Sequence, residues 1–229
     1  MKNYLIIGGS SGVGYALAQK IIATGNKPFI IARTLRELNL AQVNFFSADV
    51  LKDDLPEIKE PLHVLVYCPG SITLKPFRSL KQEDFLNDFR INVLGAVKVI
   101  QHYLPNLKQE TPSSILLFST VAVNTGMSFH SSVAAAKGAI EGLMRSLAAE
   151  LAPVVRVNAI ALSLTQTPLS AKLTDSVPKL QASIDRHPLR QIGAADDVAS
   201  LAEWLLGDAA KFVTGQVIKM DGGLSSIHK

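Results

Sequence analysis

The earliest residues suited to chemistry are Gly8-Gly9-Ser10-Ser11-Gly12-Val13-Gly14. They follow a short apolar run and open a stretch whose apolar positions, Val13, Ala16, Leu17 and Ile21, recur at helical spacing. Glycines permit a sharp turn and let a ligand approach the backbone closely. Free N–H groups and the dipole at a helix start attract phosphate. Strand, glycine loop and helix in this order read as the pyrophosphate cradle of a dinucleotide, with a merely structural turn as the alternative. Gly8, Ser10, Ser11, Gly12, Val13 and Gly14 are therefore candidate cofactor contacts.

The end of the second apolar run should choose the nucleotide, and it reads Ile31-Ala32-Arg33-Thr34. Dinucleotide folds that take NAD place a carboxylate here, on the ribose 2′-hydroxyl. Ala32 supplies no acid to repel a 2′-phosphate, and Arg33 offers a cationic fork suited to one. The expected cofactor is NADP(H) in preference to NAD(H). The alternative is that Arg33 is a solvated residue at a helix start. Other reactive residue types form no pattern. His63, His102, His130, His187 and His228 show no zinc-ligand spacing with one another or with Cys68, so no metal is expected. Cys68 is the one cysteine and has no disulfide partner within the chain, which fits a reducing, cytoplasmic compartment.

The elements that position these residues alternate. Short apolar runs at 4–7, 29–31, 43–46, 64–67, 115–118, 154–159 and 216–220 read as strands, most of them separated by helical stretches. Strands buried on both faces are continuously apolar, and parallel neighbours need crossovers. The expected architecture is a doubly wound parallel α/β sheet of Rossmann type with helices on both faces, forming one domain over 1–229. Residues 163–190, with Pro168, Pro178 and Pro188, follow the sixth strand and are expected to form a lid over the substrate. A helix is expected over 133–152. Its charges at Lys137, Glu141, Arg145 and Glu150 suit water rather than hydrocarbon, so no membrane partner is expected.

Composition agrees. In 229 residues, 48% are hydrophobic and 18% charged, which excludes disorder and small disulfide scaffolds and provides a large core. The net charge of +4 is spread over scattered Lys and Arg without interleaved aromatics, so no nucleic-acid partner is expected.

The spacing of Gly8, Gly12 and Gly14 is G-x-x-x-G-x-G, and with it the sequence resembles the short-chain dehydrogenase/reductase family over essentially its whole length. Asp49-Val50 after the third strand, Asn92-Val93-Leu94-Gly95, Lys137 on a small-residue helix, Arg156-Val157-Asn158, Thr167, Thr214-Gly215-Gln216 and Asp221-Gly222-Gly223 carry the resemblance in order. It implies that Asp49 and Val50 lie at the adenine, Gly70 in the turn below the cofactor and Thr167 near the nicotinamide carboxamide. Asp49 as a helix cap is the alternative. The family forms dimers or tetramers through the helix over 133–152, so a homodimer or homotetramer is expected.

In the family an Asn, a Ser, a Tyr and a Lys act together, with the Tyr moving the proton. The resemblance places these roles at Asn92, Thr120, position 133 and Lys137, and position 133 is valine. Thr120 lies 13 residues before Val133, and a slip of one residue would substitute Ser119. Residues i and i+4 share a helix face, but valine has no proton to give. Acid–base catalysis supplies about 10²–10⁴-fold, so ordinary carbonyl reduction should be impaired on that scale unless another group substitutes. His130, just before the helix, is the candidate replacement, with packing at the helix entry as its alternative. Ser131 and Ser132 stand where helix caps belong.

Tyr67-Cys68-Pro69-Gly70 replaces an N-N-A-G-like turn, with Tyr67 expected to add bulk beneath the cofactor. Leu162-Ser163 replaces Pro-Gly. Two functions follow. One is an NADP-dependent oxidoreductase acting on a small carbonyl, imine or activated alkene without the usual Tyr. The other is a dinucleotide-binding pseudoenzyme serving as a redox sensor or assembly subunit. The loops over 71–80, 124–129 and 163–190 would line the substrate pocket.

Overall fold

The computed structural model describes residues 2–36 and 38–227. His228 therefore lies outside the described residues. In chain order the elements are β1 (Tyr4–Ile7), α1 (Gly12–Ala23), β2 (Phe29–Ala32), β3 (Asn44–Ser47), β4 (Val64–Tyr67), α2 (Gln82–Phe89), α3 (Gly95–Leu107), β5 (Ser113–Thr120), α4 (Ala122–Thr125), α5 (Ser131–Leu151), β6 (Val155–Leu162), β7 (Thr165–Gln166), α6 (Val177–Arg186), β8 (Gly193–Ala194), α7 (Ala195–Leu206) and β9 (Val217–Met220).

Seven parallel strands form one sheet in the order β3-β2-β1-β4-β5-β6-β9, and β7 pairs with β8 in a small separate ladder. Successive strand side chains point to opposite faces, and both faces are buried. Leu5, Ile7, Leu65, Tyr67, Ile115 and Leu117 pack with Val99 and Tyr103 of α3 and with Ile140 and Met144 of α5. On the other face Ile6, Ile30, Val66, Leu116 and Ile160 meet Leu17 and Ile21 of α1 and Val198 and Ala202 of α7. All seven expected strands are present, and α5 begins two residues before its expected start.

The chain runs outward from β1 to β3 and then returns to β4 on the other side of β1. This reversal opens a crevice at the carboxyl ends of β1 and β4, where doubly wound sheets bind ligands. The glycine loop leaves β1 at that point.

Two expectations need correction. The crossover at 33–43 carries no helix among the described residues, so Arg33 does not start one. Ser131 and Ser132 do not cap α5, because His130 occupies the N-cap position and both serines lie within the helix. Residues 163–190 hold β7, a short 3-10 turn at Ala171–Leu173 and α6.

Candidate active site

The phosphate cradle is shaped by missing side chains. Gly8 and Gly12 have φ of +76° and +55°, a region that side chains rarely tolerate. A Cβ on Gly14 would lie 2.6 Å from the Gly8 carbonyl oxygen, so α1 approaches β1 this closely only with glycine there. A Cβ on Gly12 would meet the Thr167 side chain at 3.4 Å, and one on Gly8 would meet Cys68 and Pro69 at 3.4 Å. The loop thus lies between the end of β4 and the segment after β7. The first turn of α1 has no acidic residue, Ser11 makes no side-chain cap, and Ser10 is buried. The positive end of the helix is left to an anion, and the cradle fits a pyrophosphate.

Beside it, Ala32 ends β2 buried while Arg33 is exposed. The Arg33 guanidinium makes no hydrogen bond or ion pair among the described residues. Asp49 follows β3 in a turn rather than capping a helix. Its carboxylate accepts the Leu51 N–H at 3.0 Å, and Asp53 accepts the Asp49 N–H at 2.8 Å. Val50 beside it is buried.

The second cluster gathers around Gly70. A Cβ on Gly70 would lie 3.3 Å from Asn92 Oδ1, 3.6 Å from Lys137 Nζ and 4.0 Å from Leu169 Cδ2. Residues from the end of β4, the turn before α3, α5 and the segment after β7 therefore converge on one point. Lys137 Nζ donates to the Phe118 carbonyl at 2.8 Å. Burial pulls its ammonium down to about 8, against the opposing charges of Cys68 and Asp88. Burial pushes the Cys68 thiol up to about 12, with Lys137 opposing, so Cys68 is a poor nucleophile.

Asn92 lies in a π-helical turn, Arg90–Leu94. Its Nδ2 donates to the Asp88 carbonyl at 2.8 Å and to Ser71 Oγ at 2.9 Å. Its Oδ1 is buried without a hydrogen-bond partner. The Ile91 carbonyl in the same turn accepts the Tyr67 hydroxyl at 2.7 Å, and a Cβ on Gly95 would collide with that hydroxyl. Tyr67 is thus directed under α3, contrary to the expectation that it fills the space beneath the cofactor. Burial, reinforced by Asp49, raises its phenol pKa.

Sequence reasoning missed Asp88. Its Oδ1 accepts Ser71 Oγ at 2.6 Å and Thr73 Oγ1 at 3.0 Å, and its buried Oδ2 has no partner. The available signal was a carboxylate four residues before Asn92 on a helical stretch.

Ser119 and Thr120 are distinguished by their partners. Ser119 Oγ donates to the buried Glu141 Oε1 at 2.7 Å, and Glu141 also pairs with Arg145 at 3.2 Å. Thr120 ends β5 half-buried, and its Oγ1 accepts the Ala122 N–H at 3.3 Å. His130 Nδ1 bonds the Ser128 carbonyl at 2.7 Å. No hydrogen bond joins His130 to Lys137, Asn92 or Thr120 among the described residues. Val133 is buried in the first turn of α5, four residues before Lys137. The Thr167 N–H donates to Ser170 Oγ at 3.1 Å, which holds the segment facing Gly12.

A family model described as enoyl-(acyl carrier protein) reductase matches residues 8–225. A tropinone reductase homolog of Arabidopsis thaliana is 31% identical over 242 residues, covering 96% of this chain and 78% of that protein. The chain belongs to the short-chain dehydrogenase/reductase family. A short-chain type dehydrogenase/reductase from Mycobacterium ulcerans superposes with a TM-score of 0.88 at 29% identity, covering 98% of this chain and 90% of that one. ElxO, solved with NADP bound, has a TM-score of 0.87 at 24% identity, covers 99% of each chain and shows the likeness of fold. Short-chain dehydrogenases/reductases are oxidoreductases that use NAD(P).

Several motifs of the short-chain dehydrogenase/reductase pattern serve structure here. Arg156 donates to the carbonyls of Val213 and Gly207 at 3.1 and 3.3 Å. Asn158 Nδ2 donates to the Val213 carbonyl at 2.9 Å, and its Oδ1 accepts the Gln216 N–H at 3.1 Å. Together they fix the Thr214-Gly215-Gln216 turn that feeds β9. Asp221 accepts the N–H groups of Gly223 and Ser225, both at 2.9 Å, and closes the final turn.

Proposed function

We propose that this protein is an NADP(H)-preferring oxidoreductase that moves hydride to or from a small carbonyl, imine or activated alkene without a catalytic tyrosine. The convergence of Lys137, Asn92 and Gly70 beside the glycine cradle carries this reading. A binding protein needs the cradle but has no evident need for a half-buried lysine and an unpartnered amide oxygen at the same point.

Gly8, Ser10, Ser11, Gly12, Val13 and Gly14 hold the pyrophosphate. Arg33 takes the ribose 2′-phosphate, and Asp49 and Val50 lie at the adenine. Gly70, Asn92, Lys137 and Thr167 hold the nicotinamide half. The unengaged guanidinium of Arg33 beside Ala32 supports NADP over NAD. When bound, the reduced nicotinamide supplies a hydride. Thr120 orients the substrate heteroatom by hydrogen bonding. Lys137 binds the ribose and, with its ammonium pulled down to about 8 by burial, exchanges protons more readily than an ordinary lysine. With valine at 133, an iminium carries its own proton and a reduced alkene can be protonated by water, whereas a carbonyl needs a proton donor other than the residue at 133. The free, half-buried Cys68 supports a cytoplasmic setting. The family's oligomerisation through the helix over 133–152 supports a homodimer or homotetramer.

The test is a fluorescence titration of the purified protein with NADPH and NADH, followed by Val133→Tyr in the same assays. NADPH is expected to bind at least about tenfold more tightly than NADH, consistent with one charge-assisted contact to the 2′-phosphate. Failure to bind either nucleotide overturns the assignment. The pseudoenzyme reading, favoured by the buried valine at 133, gains if only Val133→Tyr turns over a ketone.

A further inference from the structure

Ser163 and His187 form a buried pair that the site above does not use. His187 is 2% exposed and stands at the carboxyl end of α6. Its Nδ1 bonds the Ser183 carbonyl at 2.7 Å, and its Nε2 bonds Ser163 Oγ at 2.9 Å. A carbonyl can only accept, so Nδ1 carries a proton. In the neutral ring Nε2 is then an acceptor, and the Ser163 hydroxyl donates to it. A base whose tautomer is fixed by a third group and whose other nitrogen holds a hydroxyl is the arrangement that activates or protonates that hydroxyl.

The pair lies at the carboxyl edge of the sheet, and a Cβ on Gly222 would lie 3.5 Å from the His187 ring. Thr120 pairs with Leu162 in the β5–β6 register, and the Val121 N–H donates to the Leu162 carbonyl at 3.0 Å. Ser163 is the next residue, at the same carboxyl edge, on a strand about 4.8 Å from that of Thr120. Ser163 opens the segment whose Thr167 faces Gly12 and whose Leu169 faces Gly70, and His187 lies near the end of that segment. The bond between them therefore joins the two ends of the stretch that covers the site.

We propose that His187, acting through the Ser163 hydroxyl, supplies and receives the proton that valine at 133 cannot. This rests on the oxidoreductase reading and deepens it. In the reductive direction, hydride addition leaves an electron pair on the substrate heteroatom. The Ser163 O–H bond breaks as its proton passes to that atom. The Nε2–H of the imidazolium form replaces the proton on Ser163 Oγ, leaving a neutral ring whose Nδ1–H stays on Ser183; once product has left, water returns a proton to Ser163 Oγ as the Ser163 proton passes to Nε2. In the oxidative direction the substrate hydroxyl proton passes to Ser163 Oγ as the Ser163 proton moves to neutral Nε2. Ser163 is the group that meets the substrate, and His187 is the positioning and proton-storing residue behind it.

The nucleotide-free protein provides the first test. Nitrogen-15 NMR of histidine-labelled protein is expected to show His187 as the Nδ1–H tautomer with a hydrogen-bonded Nε2. Ser163→Ala should move the Nε2 signal to its unbonded position and leave Nδ1 in place. An Nε2 signal indifferent to Ser163→Ala overturns the pair.

Kinetics provide the second test. With a ketone, which needs a proton from the protein, His187→Ala and Ser163→Ala should each lower kcat about 100-fold, and the double variant should be no worse, because the two act as a unit. NADPH affinity should be retained in each. Added imidazoles should restore His187→Ala with a rate that tracks their acidity. A structural latch would instead lose NADPH affinity with kcat and show no dependence on acidity, which overturns the proposal. If the wild type turns over and neither variant is slower, the relay fails while the oxidoreductase reading stands. A wild type inert towards every electrophile class ends both.

Discussion

The two ends of the crevice are built on different principles. The phosphate end, at β1 and α1, is made of backbone: N–H groups at a helix start and glycines whose missing Cβ atoms leave room. The other end, at β4, β5 and β6, is made of side chains from distant parts of the chain held by hydrogen bonds, such as Asn92 on Ser71 and Ser163 on His187. The phosphate end requires glycine at 14, because a Cβ there would lie 2.6 Å from the Gly8 carbonyl oxygen. The other end depends on which side chains the fold brings together, and there valine stands at 133, four residues before Lys137.

This contrast can be broken by substitution, and the largest effect is expected at the phosphate end. Gly14→Val places side chain against backbone. It should abolish NADPH binding and lower stability by about 3 kcal/mol or more, read by titration and denaturant unfolding. Lys137→Met should lower kcat about 10²–10³-fold with NADPH affinity largely kept.

Lys137 also carries a pH signature. Its folded pKa of about 8 lies below the ordinary 10.5, so the cost of burying its charge is fully present below about pH 8 and is relieved as pH rises towards 10.5. The difference in unfolding midpoint between wild type and Lys137→Met should therefore move in favour of the wild type across that window. A flat difference would mean that the ammonium is not desolvated.

Smaller effects sharpen the comparison. Arg33→Glu should shift the NADPH-to-NADH affinity ratio about 10- to 100-fold towards NADH, since hydrogen bonds to charged groups contribute roughly 1.5–3 kcal/mol. Ser119→Ala should cost about 1–3 kcal/mol of stability, because Glu141 loses a buried donor, and should leave KM unchanged. Thr120→Ala should do the reverse, raising KM at little cost in stability. His130→Ala should be the mildest, with kcat within about twofold, as its ring is bonded to the neighbouring Ser128 carbonyl.

The sheet was legible in the sequence because strands buried on both faces read as unbroken apolar runs, as Leu5-Ile6-Ile7 does. The cradle was legible because its glycines are contiguous. Tyr67 was misjudged because its direction depends on a π-helical turn that frees the Ile91 carbonyl and on Gly95, which leaves room for the phenol; neither is visible from Tyr67's own neighbours. His187 was seen only as an isolated histidine, since its partner Ser163 is 24 residues away and the fold alone brings them together. Ser119 and Thr120 could not be separated without knowing that Glu141 claims one of them.

The most direct test is a single-turnover experiment with wild-type protein in excess over NADPH, mixed with a ketone, an imine or an activated alkene, and followed at the reduced nicotinamide absorbance. NADPH is expected to bind, and its absorbance to decay with at least one electrophile class. Tight binding with a flat trace for all three would contradict the oxidoreductase reading and leave a nucleotide sensor built on an oxidoreductase fold.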